Sequence, residues 1–250
     1  MMTAQGLSDP ALLQTFFQRL ERRDELGPDE RRAMAELFRH ERRLEAGAEI
    51  VGEGERPGQS TLLLSGITAR AKLMGDGERQ ITAFNVPGDF VDLHSFLLKE
   101  LDHSVVAITP IEFTQIAHAD LERVTERFPH LSRMLWLATL LDSAINREWL
   151  VGLGRRSALA RAAHIFCEMG LRLNAVGLGS PDNYEFAVTQ TDLADAMGLS
   201  AVHVNRVIQD LRARNLLVWQ GSRVSLPNLD GIRELAEFDD RYLNLMKERR

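Results

Sequence analysis

Between residues 189 and 213 the sequence TQTDLADAMGLSAVHVNRVIQDLRA gathers imidazole, amide and guanidinium groups onto one side of a short helix. Counted from Ser200, Val204, Val207, Ile208 and Leu211 recur at spacings of 3 and 4 and make an apolar face, while Ala201, Val202, His203, Asn205, Arg206, Gln209 and Arg212 point the other way. Upstream, Thr189 can cap a shorter helix carrying Leu193, Ala194 and Met197, Gly198 permits a tight turn, Leu199 plugs the core and Ser200 caps the second helix. Two helices joined by a few residues with a glycine form a helix-turn-helix, whose second helix can enter the major groove of DNA. Arg206 then presents a fork suited to guanine O6 and N7. His203 and Asn205 can donate to bases or phosphates, and Val202 can touch a thymine methyl. Thr189, Gln190, Thr191, Ser200, Arg212 and Arg223 suit positioning on phosphates. Apart from Arg206, each of these fits an ordinary solvated position equally well. The bland alternative, a helical hairpin in a core, would not require an exposed row of Asn, Arg, Gln and Arg. Asn215 to Trp219 and Arg223 to Leu226 flank Gln220-Gly221-Ser222 as a hairpin directly after the second helix, which makes the motif a winged one.

Other chemistry is scarce. There is no phosphate-cradling GKS/T loop and no Gly-x-Ser-x-Gly elbow, so no catalytic residue is expected. None of the 7 histidines pairs with another at helical i, i+4 spacing, and no metal site is expected. The single Cys167 can form neither an internal disulfide nor a four-cysteine cluster. Net charge is −6, with 17 basic and 24 acidic residues up to position 150 and 13 and 12 after it, a small shift that does not exclude a local basic face and points to the second part as the place to look for one. The longest apolar run, LWLATLL, is far short of the roughly 20 residues of a membrane helix. MMTAQGLSDP lacks the pattern of a secretory signal, so no membrane partner and a cytoplasmic location are expected.

The elements that must position the helix-turn-helix are legible upstream. Residues 7–40 read as helical. From about 43 to 117, short runs such as STLLLSGITARAKL and HSVVAITPIEFTQI are punctuated by Gly, Pro and Asp, with Asp76-Gly77 as a hairpin turn, and predict a small β-sandwich or barrel. A long helix follows over 129–151, opened by Pro129. Its apolar set Leu131, Met134, Leu135, Ala138, Leu141, Ile145 and Trp149, broadened by Leu137, Leu140 and Ala144, is wider than one contact face. We therefore expect a homodimer joined through Leu131, Leu135, Ala138, Leu141, Ile145 and Trp149, against the simpler reading of one core helix in a monomer. Gly152 and Gly154 suggest a cap and hinge. The expected divisions are 1–128, 129–154 and 155–250.

Barrel, long helix and winged helix-turn-helix in this order resemble the Crp/Fnr family of bacterial transcription regulators over about residues 43–227. The specific elements are Asn85-Val86-Pro87-Gly88-Asp89-Phe90 and the stretch from Thr189 to Arg206. The resemblance implies an α+β fold: an N-terminal double-stranded β-helix (jelly-roll-like) barrel, a long dimerisation helix and a C-terminal winged helix-turn-helix. It also implies a homodimer on a two-fold symmetric double-stranded DNA site that recruits or blocks RNA polymerase, with Arg206 at the family's base-reading arginine. An effector pocket would involve Gly88, Asp89, Asp92, His94, Ser95, His103 and Ser104. Where cyclic AMP-binding members carry an Arg-Ser or Arg-Thr pair for the phosphate, this chain has His103-Ser104. A near-neutral imidazole replaces a permanent cation, so cyclic AMP is not expected. An iron–sulfur cluster is excluded by the cysteine count, and haem through His94 or His103 is not expected. The cofactor or effector stays open, as does the alternative of a ligand-binding module that controls a protein partner.

Overall fold

The computed structural model describes residues 10–38 and 41–249. The start of the first expected helix, residues 7–9, and the end of the helical stretch at 39–40 lie outside the described residues. Two helices open the chain, α1 (Pro10–Glu21) and α2 (Pro28–Ala35). Pro28 stands in the first turn of α2, where its missing N–H is not needed, and the Glu30 carboxylate accepts from the Gly27 N–H at 2.8 Å. Phe16 of α1 meets Phe17, Phe38 and Phe90 edge-on at centroid distances of 5.3, 5.3 and 5.7 Å, which seals this helical pair onto the outside of the barrel.

The barrel consists of β1 (Glu41–Leu44), β2 (Glu49–Val51), β3 (Gln59–Ser65), β4 (Thr68–Leu73), β5 (Arg79–Asn85), a short helix α3 (Ser95–Leu98), β6 (Ser104–Ala107) and β7 (Ile111–Ala117). Antiparallel pairing gives two facing sheets, β1-β7-β3 and β2-β6-β4-β5. Leu63, Val91, Leu101, Val105, Ile111 and Phe113 fill the space between them. The expected hairpin joins β4 to β5, with the Asp76 carboxylate accepting from the Glu78 N–H at 3.0 Å.

Two helices then lead out, α4 (His118–Arg127) and α5 (Pro129–Arg155), and α6 (Ala158–Ala175) leads back. Helix α5 runs through Gly152 and Gly154 without a left-handed residue, which corrects the expected hinge there; the chain breaks at Arg156 and Ser157 instead. The Arg161 guanidinium supplies the reason. It donates to the carbonyls of Gly152 at 2.9 Å and Leu153 at 3.1 Å, satisfying the end of α5, and lies against Gly152, which is buried.

The C-terminal part comprises β8 (Gly179–Ser180), β9 (Asn183–Glu185), α7 (Gln190–Met197), α8 (Ala201–Ala213), β10 (Val218–Gln220), β11 (Arg223–Ser225) and α9 (Leu229–Leu235), with a small sheet in the order β10-β11-β9-β8. Its core is continuous with the barrel. Ile81 and Phe84 of β5, Ile145 and Trp149 of α5, and Phe166, Phe186 and Val204 belong to one buried cluster, and Phe84 meets Trp149 and Phe186 edge-on at 5.8 and 5.4 Å.

Buried charge crosses the same boundary. Arg172 of α6 donates to Asp89 at 2.8 Å, to the Phe84 carbonyl at 2.9 Å and to Glu168 at 3.0 Å, all in the interior. Arg19 of α1 lies 2.6 Å from the other Asp89 oxygen, a close ion pair without hydrogen-bond alignment. Glu168 accepts in turn from Trp149 and from Tyr242. One carboxylate thus ties the N-terminal helix and the C-terminal part to the turn after β5.

Candidate nucleic-acid interface and effector cleft

Helices α7 and α8 form the turn that the sequence suggests. Thr189 caps α7 by accepting from the Asp192 N–H at 3.1 Å, and Asp192 returns the bond by accepting from the Thr189 N–H at 2.9 Å. Gly198 closes the helix with φ +60°, a left-handed conformation that a side chain would strain. Ser200 caps α8 through the His203 N–H at 3.3 Å. Val204, Val207, Ile208 and Leu211 are buried, while Ala201, Val202, His203, Asn205, Arg206, Gln209 and Arg212 face out. The Arg206 guanidinium has no ion-pair or hydrogen-bond partner among the described residues.

Other expected contact residues are partly engaged. Thr189 uses its hydroxyl within the cap, donating to Asp192 at 2.6 Å. Asn205 donates to Gln190 at 3.0 Å, so these two amides form a bridge between the helices. Arg212 donates to the Trp219 carbonyl, which pins the hairpin β10–β11 to α8. Thr191, Val202 and Arg223 are exposed.

A feature absent from the sequence reading fixes the orientation of this unit. Arg79, at the start of β5, reaches Asp192 and Asp195 of α7 at 2.7 Å each, and Gln80 donates to the Asp195 carbonyl at 2.7 Å. Its pKa is raised, the two carboxylates outweighing partial burial. The only prior signal was an arginine just past the hairpin turn, with no partner in view.

A second region, a cleft of about 530 Å³, opens between barrel and α5, lined by Arg70, Lys72, His94, Asp102, His103, Asp142 and Asn146 among others. Arg70 is held by Asp142 at 2.7 Å and by the carbonyls of Val91 and Phe90. Of the expected pocket residues, only His94 and His103 bound this cleft. Gly88 turns instead toward α1: a side chain there would come within 2.9 Å of the Thr15 carbonyl. Asp89 is consumed by Arg19 and Arg172. Asp92 is buried and accepts from the Thr61 N–H at 2.5 Å, with its carboxyl pushed up to about 6, chiefly by burial. Ser95 is buried with its hydroxyl 3.4 Å from His118, and the Ser104 hydroxyl accepts from the Glu53 N–H at 3.1 Å. Helices α1 and α6 claim Gly88 and Asp89, which the motif alone left facing a ligand, and Asp92, Ser95 and Ser104 are engaged by Thr61, His118 and Glu53.

Burial pushes the His94 imidazole down to about 3, with Arg70 adding repulsion, and burial lowers His103 as well. Both are neutral at pH 7. Cys167 is buried with its thiol pushed up to about 12, so it offers no thiolate.

Residues 160–235 match the Crp-like helix-turn-helix domain and residues 41–128 the cyclic nucleotide-binding domain. The nitrogen fixation regulation protein FixK of Bradyrhizobium diazoefficiens is 30% identical over 174 residues, covering 70% of this chain and 72% of its own. The chain belongs to the Crp/Fnr family. Another relative, the transcriptional activator protein FnrL of Cereibacter sphaeroides, is 25% identical over 194 residues, covering 76% of this chain and 77% of its own. The solved structure of FixK2 from Bradyrhizobium japonicum superposes with a TM-score of 0.71 at 25% identity, covering 78% of this chain and 96% of that one. This Crp/Fnr protein is a DNA-binding transcription regulator rather than an enzyme, and its α+β architecture is that of the family. No helix among the described residues is long and apolar enough to cross a membrane.

The structure also corrects the expected dimer contacts. Leu131, Leu135, Leu141, Ile145 and Trp149 are buried within the protomer and so are not available to a partner, while Ala138 is half-buried against the same core. A charge at Leu135 is therefore expected to destabilise the protomer itself. The apolar surface that α5 leaves open is a different one, headed by Trp136 at 65%, Leu140 at 50% and Leu150 at 69% exposure.

Proposed function

We propose that this regulator is a homodimer that lays one α8 per protomer in successive major grooves of a two-fold symmetric site, and that it recruits or obstructs RNA polymerase there. The observation that carries the DNA reading is α8 itself: four buried aliphatic residues on one side and an unpaired Arg206 on the other. Arg206 is assigned to guanine, Val202 and His203 to neighbouring base edges, and Ser200, Thr191 and Arg223 to phosphates. Activator names among the relatives support the polymerase partner. The cleft is assigned to an effector that biases the docking of α7 on β5 through Arg79.

The dimer seam follows from exposure along α5. Trp136, Leu140, Ser143, Arg147, Leu150 and Gly154 are all exposed and alternate at spacings of 4 and 3, the 3.5-residue repeat of two helices wound together. Glutamate at both Trp136 and Leu140 is expected to yield monomers in sedimentation equilibrium while the melting temperature holds, since neither side chain lies in the core. Affinity for a two-half-site duplex should drop roughly 100-fold with loss of the second contact. Specific binding by the parent chain should also weaken linearly in log salt, by about 0.9 for each phosphate neutralised. Affinity indifferent to salt would contradict the DNA reading, and a dimer that survives both glutamates would move the seam elsewhere.

A further inference from the structure

We infer that His94 and His103, with the Asp102 carboxylate behind the His103 ring, form a binding site for a first-row divalent transition-metal ion in the cleft between barrel and α5. One ligand atom from each residue can be chosen so that all lie within 4.8 Å of one another, and the two imidazole rings face each other at a centroid distance of 5.0 Å. His94 Nε2 and His103 Nε2 are both buried and lack any hydrogen-bond partner, so each pays a desolvation cost that nothing in the protein offsets.

The tautomer decides which kind of ligand suits them. Asp102 accepts from His103 Nδ1 at 2.8 Å, and an ionised carboxylate can only accept, so the ring proton is on Nδ1 and Nε2 carries a bare lone pair. An anion finds no donor at that Nε2. A metal ion does find a ligand there, in the carboxylate–histidine–metal arrangement in which the acid fixes the ring and raises its basicity.

Two imidazoles with a nearby carboxylate select zinc, cobalt, nickel or iron(II) over magnesium or calcium. Bonds of about 2.0–2.1 Å in a tetrahedral set need donors about 3.4 Å apart, so loading would hold the two imidazole nitrogens at that spacing. His94 belongs to the segment after β5 and His103 adjoins β6, so the ion joins two segments on one wall of the cleft, opposite Asp142 and Asn146 of α5. The neighbouring Arg70 charge, which would repel a cation, is already paired with Asp142.

The test uses the full chain without an affinity tag, stripped with chelator and titrated with Co(II). The expected result is visible ligand-field absorption that saturates at one ion per protomer and is displaced by Zn(II), with histidine nitrogen in the X-ray absorption spectrum. His94→Gln and His103→Gln should each abolish the saturable signal, and Asp102→Asn should weaken binding about 10–100-fold. Absence of saturable binding to the parent protein, or binding that persists in the His94→Gln/His103→Gln double variant, overturns the proposal. Because the titration contains no DNA, its outcome is separate from the base-reading assignment.

Discussion

Replacing Asp89 by alanine is expected to destabilise the protein by about 3–5 kcal/mol, the cost of leaving a buried charge without its partner. Two guanidiniums converge on that carboxylate, Arg19 at 2.6 Å and Arg172 at 2.8 Å, and the Val86 N–H donates to it at 3.0 Å. Burial by itself would raise the Asp89 carboxyl. The two arginines and the backbone donor overcome this and hold it below its ordinary 3.8. A folded-state value below the unfolded one means that the contribution is present above pH 3.8 and is lost as pH falls through the depressed value. Thermal melts at neutral pH should therefore drop by roughly 6–20 °C, and the gap between parent and variant should narrow in acid below pH 3.8. A change under about 1 kcal/mol would show that Arg19 and Arg172 find other partners or water. This carboxylate also matters for communication, because it joins α1, the turn after β5 and α6 at one point.

Arg206→Ala is the second large expectation. A bidentate guanine contact is worth about 1–3 kcal/mol of discrimination, and a dimer makes it twice. Specific affinity should fall roughly 30-fold or more, with the melting temperature unchanged, because the side chain is exposed and unpaired. Weak, salt-sensitive binding to unrelated duplex should survive. Lysine should restore charge without restoring base preference, since it lacks the planar fork. Titration of a cognate duplex by fluorescence anisotropy reads each of these, and equal affinity for parent and variant would remove Arg206 from the base contacts.

Local chemistry made the reading head legible in the sequence. The caps at Thr189 and Ser200, the left-handed Gly198 and the apolar spacing of α8 depend on neighbours within a few residues, and the structure buries the expected side of that helix. The long helix was visible as an element but not as a surface. A helix apolar on two sides does not reveal which side meets its own barrel, and here the protomer takes Leu131, Leu135 and Ile145 and leaves Trp136 and Leu140. Gly152 reads as a hinge until Arg161 is known to cap the carbonyls around it. Gly88 and Asp89 lie in a motif that suggests a ligand loop, yet α1 and α6 occupy the space beside them. His94 and His103 belong to different segments and show no helical pairing, so only the folded chain brings their rings together.

Two copies of α8 are expected to read one duplex together, and selection from a pool of random duplexes by the tag-free protein at physiological salt checks this. Enrichment is expected of an inverted repeat with half-site centres about 10–10.5 base pairs apart, or a multiple of that, with a guanine at equivalent positions of both halves. Failure to enrich any sequence, or enrichment of a single unrepeated half-site by a protein that is dimeric in solution, would contradict it.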